Sequence, residues 1–378
     1  MSSVKEWMKK GAGGLLVLIP ALALAMPAFA NYAPPVLADT QEPGSVIVFP
    51  KFAQGSVWAY AGTGGAFKAA KSVIEVGFVC PIGVGCTFGQ KVNVHFHWVC
   101  PPAAGSTVCT ENDFIISGSV EPNPFGGGDK LTFNAGDNGQ QVPGEINGTA
   151  KTLAGLPIPV APCQRGYLIG WVVNNVDQPI RFDALVGDVI ARNTPTDLQS
   201  ASAYTIQAVG PSDGGAITLD GSGALVFDGL GNDYTAVTGQ LTSDVRYDSL
   251  ITAPFGQGFL VFLTLDVKSE QANTATEVQL DFYSHESLLS TSWAFTCWGQ
   301  VQLSAIDPNL TFENMGGSKG LVVSHQAIDS GTGNQRTMLG LFQATEGPAS
   351  GPAAATESYT VRPSNNSVPI PTKFQPSF

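Results

Sequence analysis

Charge is scarce in this chain. Asp, Glu, Lys and Arg together make up 13% of the residues, where soluble domains average about a quarter. Basic residues number 18 against 30 acidic ones, for a formal charge of −12. Such a surface repels nucleic acid and anionic lipid at long range, so neither is an expected partner. After residue 30 no long apolar run remains, and no transmembrane span is expected beyond the leader. The cysteines spell no haem attachment motif, since none is followed at the required spacing by cysteine and histidine. Gly62-Thr63-Gly64-Gly65 and Gly214-Gly215 lack the ordered strand, glycines and helix of a phosphate or dinucleotide loop. Ser287, Ser290 and Ser292 lie near His285 and Glu286 without a nucleophile elbow around them. No catalytic residue and no organic cofactor is therefore expected, and an enzyme is the less favoured class.

The N-terminus carries the clearest local pattern. Lys5, Lys9 and Lys10 precede an apolar stretch from Gly14 to Ala30 that ends in Ala28-Phe29-Ala30. A basic region, a greasy core and an Ala-x-Ala site in that order describe a secretory signal peptide over residues 1–30. Pro20 and Pro27 interrupt the stretch and speak against a permanent anchor. The mature chain would begin at Asn31, more acidic still, in a secreted, cell-surface or periplasmic location.

In place of charge the chain has 44 glycines and 26 prolines among many Val, Ile, Phe, Thr and Leu residues. That mixture describes short strands joined by turns, hence an all-β protein. Segments such as Ser45 to Phe49, Val73 to Val79, Tyr167 to Val173, Gly258 to Val267 and Thr276 to His285 read as strands. Lys91 to Cys100 alternates most clearly: Val92, Val94, Phe96 and Trp98 share one face, and Asn93, His95 and His97 a more polar one. Ser284 to Leu289 supports one helical turn at most. An offset of 186 lays Val73–Val79 over Phe259–Leu265 and Val92–Phe96 over Val278–Phe282, and an offset of 154 lays Leu185 over Leu339. The shared order points to two β-sandwich-like domains related by internal duplication: 45–215 and 246–345, with a boundary at 216–245, an extended N-terminal arm at 31–44 and a Pro/Ser-containing C-terminal arm at 346–378.

All six cysteines follow the leader: Cys80, Cys86, Cys100, Cys109, Cys163 and Cys297. In an exported chain this even number reads as three disulfides. Turn-like segments between them favour Cys80–Cys86 and Cys100–Cys109, leaving Cys163 with Cys297; Cys109 with Cys163 is the competing choice.

Three kinds of site are written into the residues. His95, His97 and Cys100 offer a local ligand set for copper or zinc, against the alternative of satisfied surface or interface histidines. Glu111 with Asp113, Asp220 with Asp228, and Asp183 with Asp188 are carboxylate pairs of the type that binds calcium or moves protons, though solvated loops use the same residues. Trp58, Tyr60, Trp98, Trp171, Tyr247, Trp293 and Trp298 are flat surfaces of the type that stacks on a glycan, if they are exposed together.

Gly44-Ser45-Val46-Ile47-Val48-Phe49-Pro50, Val94-His95-Phe96 before Cys100, Cys109-Thr110-Glu111-Asn112-Asp113-Phe114, Cys163-Gln164-Arg165-Gly166-Tyr167-Leu168-Ile169 and Phe182-Asp183-Ala184-Leu185-Val186-Gly187 together resemble a group of exported bacterial β-rich proteins of uncharacterised function. The resemblance covers about residues 44–305. It implies export and β structure, and brings no catalytic assignment. The expected role is an extracellular or cell-surface structural protein that packs against itself or another envelope protein through β edges and terminal arms. A carbohydrate-binding module and a metal-binding exported protein are the alternatives.

Overall fold

The computed structural model describes residues 42–54, 56–60, 67–81, 83–121, 128–135, 148–194, 197–248, 258–346, 355–360, 362–363 and 369–377. The expected signal peptide and the N-terminal arm up to residue 41 lie outside them. The fold is almost entirely β-strand, arranged in several largely antiparallel sheets. Among the described residues its helices are two single turns, Leu303–Ile306 and Phe312–Met315. The helical turn expected at Ser284 to Leu289 is instead a tight hairpin connection, with Ser284 N–H donating to the Ser287 carbonyl at 2.8 Å.

Four sheets stack in layers. The first joins Ser56–Tyr60, Phe67–Phe78, Leu185–Thr194 and Asp197–Ser202, with Lys130–Asn134 also paired to Phe67–Phe78. The second has five strands in the order Tyr204–Ile206, Val46–Ala53, Arg165–Val173, Gln90–Val99, Glu111–Val120. The third runs Trp298–Gln302, Gly258–Leu263, Leu339–Glu346, Ala355–Thr360, and the fourth Leu288–Phe295, Thr276–Tyr283, Lys319–Asp329, Leu241–Arg246, Arg362–Pro363.

Alternation decides which layer each residue serves. Val92, Val94, Phe96 and Trp98 point toward the first layer, where Phe96 and Trp98 meet Phe133 edge-on at 5.8 and 5.9 Å. Their neighbours point toward the third layer and are buried as well: His95 is 3% exposed and His97 0%. The polar surface expected on that side is thus covered: Phe374, from the strand Thr372–Gln375, packs on His97, and Asp177 reaches His95. In the third layer Val261, Leu263, Leu339 and Leu341 belong to the core shared with the second layer. Leu260, Phe262 and Phe342 face the other way, into a second core with Val278, Leu280 and Phe282. Glycines permit the closest approaches. A Cβ at Gly187 would sit 3.0 Å from both Ile47 Cδ1 and Phe49 Cζ, and one at Gly340 would sit 2.7 Å from Phe262 Cδ1.

The strand pairing of the first two layers recurs in the last two. Val46–Ala53, Gln90–Val99, Glu111–Val120 and Arg165–Val173 occupy the same order as Leu241–Arg246, Thr276–Tyr283, Leu288–Phe295 and Lys319–Asp329. Phe67–Phe78 and Leu185–Thr194 likewise correspond to Gly258–Leu263 and Leu339–Glu346. The two sets do not keep separate interiors: the larger hydrophobic core runs from Val46 to Phe374, and all the described residues belong to one compact unit.

Two expected connectors are structural. Residues 216–245 contain Leu225–Phe227 and Val237–Thr238, with Leu225, Phe227, Tyr234 and Val237 fully buried. The C-terminal segment expected as an arm is folded in. Ala355–Thr360 extends the third layer, Thr372–Gln375 lies between Leu225–Phe227 and Val267–Lys268, and Phe374 is 0% exposed. Prolines are tolerated there because the strands are short and peripheral. The described end of the N-terminal arm also docks on its own fold, where Gly44 and Leu185 exchange hydrogen bonds of 3.1 and 2.9 Å.

All six cysteines are oxidised as Cys80–Cys86, Cys100–Cys163 and Cys109–Cys297. The first was expected, and the other two correct the expected pairing. Arg165–Val173 pairs directly with Gln90–Val99, so Cys163 arrives beside Cys100 with a Cα–Cα distance of 5.9 Å. Cys109 is left to reach Cys297 in the turn before Trp298–Gln302.

Candidate functional site

The sequence-selected histidines stand in the middle of a buried polar row. In the strand register His95 lies between Ile115 and Trp171, and His97 between Asp113 and Ile169. His95 Nδ1 is 2.8 Å from Asp177 Oδ1, and its Nε2 is 3.1 Å from Asp113 Oδ2. Asp177 occupies a left-handed turn position, φ 62°. Asn174 shapes that turn by accepting the Val176 and Gln178 amides at 3.0 Å each. Asn93 reaches the same turn through Asn175 at 3.3 Å.

The two imidazoles stack at 4.6 Å, and both stack on Trp171, at 5.3 and 4.8 Å. Phe374 closes the stack edge-on, 6.2 Å from His97 and 6.1 Å from Trp171. His97 Nδ1 lies 3.1 Å from Glu111 Oε2. That approach is an ion-pair contact outside strict hydrogen-bond geometry, and among the described residues His97 Nε2 has no hydrogen-bond partner. The other oxygen of Glu111 accepts the Ser377 backbone N–H at 2.6 Å and the Ser377 hydroxyl. Burial pushes the Glu111 carboxyl up, but contacts with His97, Ser269 and Ser377 outweigh it and leave its pKa below the ordinary value. The row thus ties the second layer to the end of the chain.

The local set of His95, His97 and Cys100 does not come together as three metal ligands here. The sulfur of Cys100 is bonded to Cys163 and supplies no thiolate, while both ring nitrogens of His95 face carboxylates. Among the described residues no group of three His, Cys, Asp or Glu side chains is arranged to hold a metal ion. The carboxylate pairs serve local structure. Glu111 and Asp113 flank different histidines, Asp183 accepts from Ser45 and Ser212 at 2.7 Å each, and Asp188 accepts from Ser202 at 2.9 Å. Asp220 organises the Ser222–Ala224 turn and meets Lys373 at 3.0 Å, and Asp228 accepts the Leu230 amide.

Nor do the described aromatics form an open platform for sugar. Trp98, Trp171 and Tyr247 are at most 1% exposed and Trp298 is 4%. The indole N–H groups of Trp98 and Trp298 are spent on the Pro159 and Pro50 carbonyls. Trp58 and Tyr60 have side chains outside the described set. A cleft of about 340 Å³ opens beside Asn93, Asn174, Asn175 and Asp213, with Phe182 as its one aromatic lining residue.

Two features escaped the sequence reading. Gly316-Gly317-Ser318-Lys319-Gly320 has the spelling of a nucleophile elbow, but it leads out of a helical turn into a strand, the reverse of the order that exposes a nucleophile. The other is an edge. Leu288–Phe295 pairs with Thr276–Tyr283 on one side, and no described residue pairs with its other side. Its eight residues, LLSTSWAF, contain neither charge nor proline, the usual protections of an edge. At one end Leu288, Tyr283 and Leu321 stand side by side across three strands, 59%, 37% and 39% exposed. The corresponding strand of the other half, Glu111–Val120, is capped: Leu153 N–H donates to the Ile115 carbonyl at 2.6 Å, and Thr152 bridges to Ile116.

Among the described residues no helix is long and apolar enough to cross a membrane. No family model matches this chain, and neither a curated protein nor a solved structure matches it.

Proposed function

We propose that this chain is an exported structural protein, built from two β-sandwich lobes of common origin, which assembles with further copies of itself through the Leu288–Phe295 edge. The open edge carries the reading. An unpaired strand presents a row of N–H and C=O groups that another strand can satisfy. This one is uncharged, so an antiparallel copy meets no like-charge repulsion, and Leu288, Tyr283 and Leu321 supply an apolar contact beside it. Three disulfides suit an oxidising location outside the cytoplasm. The recurring strand order supports duplication of one sandwich. Of the two corresponding edges, Glu111–Val120 is capped and Leu288–Phe295 is open, and a two-fold pair through the open one would satisfy it in both copies at once.

The test is light scattering on the purified oxidised protein across a concentration series. Self-association that Ser292→Lys abolishes, with the β signal and melting temperature retained, supports the proposal. A monomer at every concentration sinks it.

A further inference from the structure

Lys51 lies in the interior with no exposure. It stands where the pairing of Val46–Ala53 with Arg165–Val173 shifts register between Phe49 and Phe52. The adjoining Pro50 carbonyl is held by the Trp298 indole at 2.9 Å. The lysine side chain points into the third layer and donates from Nζ to Gln343 Oε1 at 2.7 Å. Gln343 is equally buried, 292 positions further along, and among the described residues its Nε2 makes no hydrogen bond.

Such a pair is an expensive way to fill a core, because an apolar residue of the same volume carries no desolvation cost. It is, however, a well-placed pair of reactants. Burial, and after it the positive charge of Arg165, hold the Lys51 amine well below the ordinary lysine range. A neutral amine has the lone pair that an ammonium lacks. The electrophilic carbon of Gln343 is one bond from the oxygen that this amine already touches. The surrounding core excludes water as a competing nucleophile, and fixed neighbours of this kind reach effective concentrations of about 10⁵–10⁸ M.

We propose that Lys51 and Gln343 become joined by an intramolecular isopeptide bond that forms once, after folding, and locks the second layer to the third. Nζ adds to Cδ of Gln343, and one proton passes from Nζ to Nε2. The Cδ–Nε2 bond then breaks and ammonia leaves. Amine and primary amide become a secondary amide and ammonia, with no oxidant or reductant. The product removes both the buried amine and the unpartnered Nε2 from the interior. A reductant that opens the disulfides would leave this link intact. The inference does not depend on self-assembly.

Intact-mass measurement of the purified, fully reduced chain tests it directly. The expected mass falls short of the mature sequence by one ammonia, and a tryptic digest should contain one branched peptide joining the Lys51 and Gln343 segments, with no cleavage after Lys51. Lys51→Met should carry its full sequence mass. Linear peptides containing unmodified Lys51 and Gln343, recovered after long incubation of the folded protein, overturn the proposal. So does an ammonia loss that fragmentation assigns elsewhere, such as Asn147-Gly148, or one that persists in Lys51→Met.

Discussion

Tyr204 and Gly340 exchange two hydrogen bonds across the layer boundary: the phenol donates to the Gly340 carbonyl at 2.7 Å and accepts the Gly340 N–H at 3.1 Å. Two backbone groups of the third layer are thereby satisfied by one side chain of the second. Tyr204→Phe keeps the ring and leaves both buried backbone groups without this partner. Each orphaned group costs about 1–3 kcal/mol, so denaturant unfolding of the oxidised variant should show a loss toward the upper end of that range. The midpoint should fall while the slope stays the same.

The disulfides should not be equivalent. Cys80–Cys86 closes a separation of 6 residues and Cys109–Cys297 one of 188. In the chain-entropy picture the longer closure constrains the unfolded ensemble more, within a usual range of about 2–4 kcal/mol. Replacing Cys109 and Cys297 by Ala should therefore lower the melting temperature more than replacing Cys80 and Cys86. Equal effects would show that the long bridge adds nothing beyond the contacts around it.

How much of this was legible follows from what each signal encodes. Alternation located the Lys91–Cys100 strand and its apolar face, because period two is a local property. It says nothing about what covers the other face, so the burial of His95 and His97 could not be read from it. Trp171 and Asp177 join those histidines only through strand register, and no spacing announces that. The cysteine pairing failed for the same reason: nearness along the chain favoured Cys100–Cys109, whereas sheet order set Cys163 beside Cys100. The C-terminal segment looked like an arm because prolines break up its pattern, yet Phe374 anchors it.

Asp233 should give stability a pH dependence. Burial, then the charge of Asp228 and a hydrogen bond with it, push the Asp233 carboxyl up to about 6, from an unfolded value of about 3.9. The folded state therefore binds more protons in that interval. This contribution is complete below about pH 4 and is lost as pH rises through about 6. Asp233→Asn removes the titration. Thermal melts should show the variant gaining on the parent protein between pH 4 and pH 7, and a constant difference across that range would exclude Asp233 as the source.

The sharpest consequence of the layered core concerns the separated first half. Two independent domains would each survive alone. Here the second layer buries Val48, Ile169 and Trp171 in one core with Leu263, Leu339, Leu341 and Phe374, all contributed from beyond residue 260. A chain ending at Gln240 would expose that face, leave Cys109 without Cys297 and remove Ser377 from Glu111. Exposed apolar area of this kind drives association, so the fragment should bind a hydrophobic dye and aggregate. A milder version isolates the C-terminal contribution. Phe374→Ala in the full chain empties the position against His97 and Trp171. Truncations of this kind cost about 3–5 kcal/mol. A loss of that size, with Trp171 fluorescence shifted to the red, is expected if the last strand is part of the core. A soluble, dye-negative fragment together with an unaffected Phe374→Ala protein would mean that the first half folds without its cover.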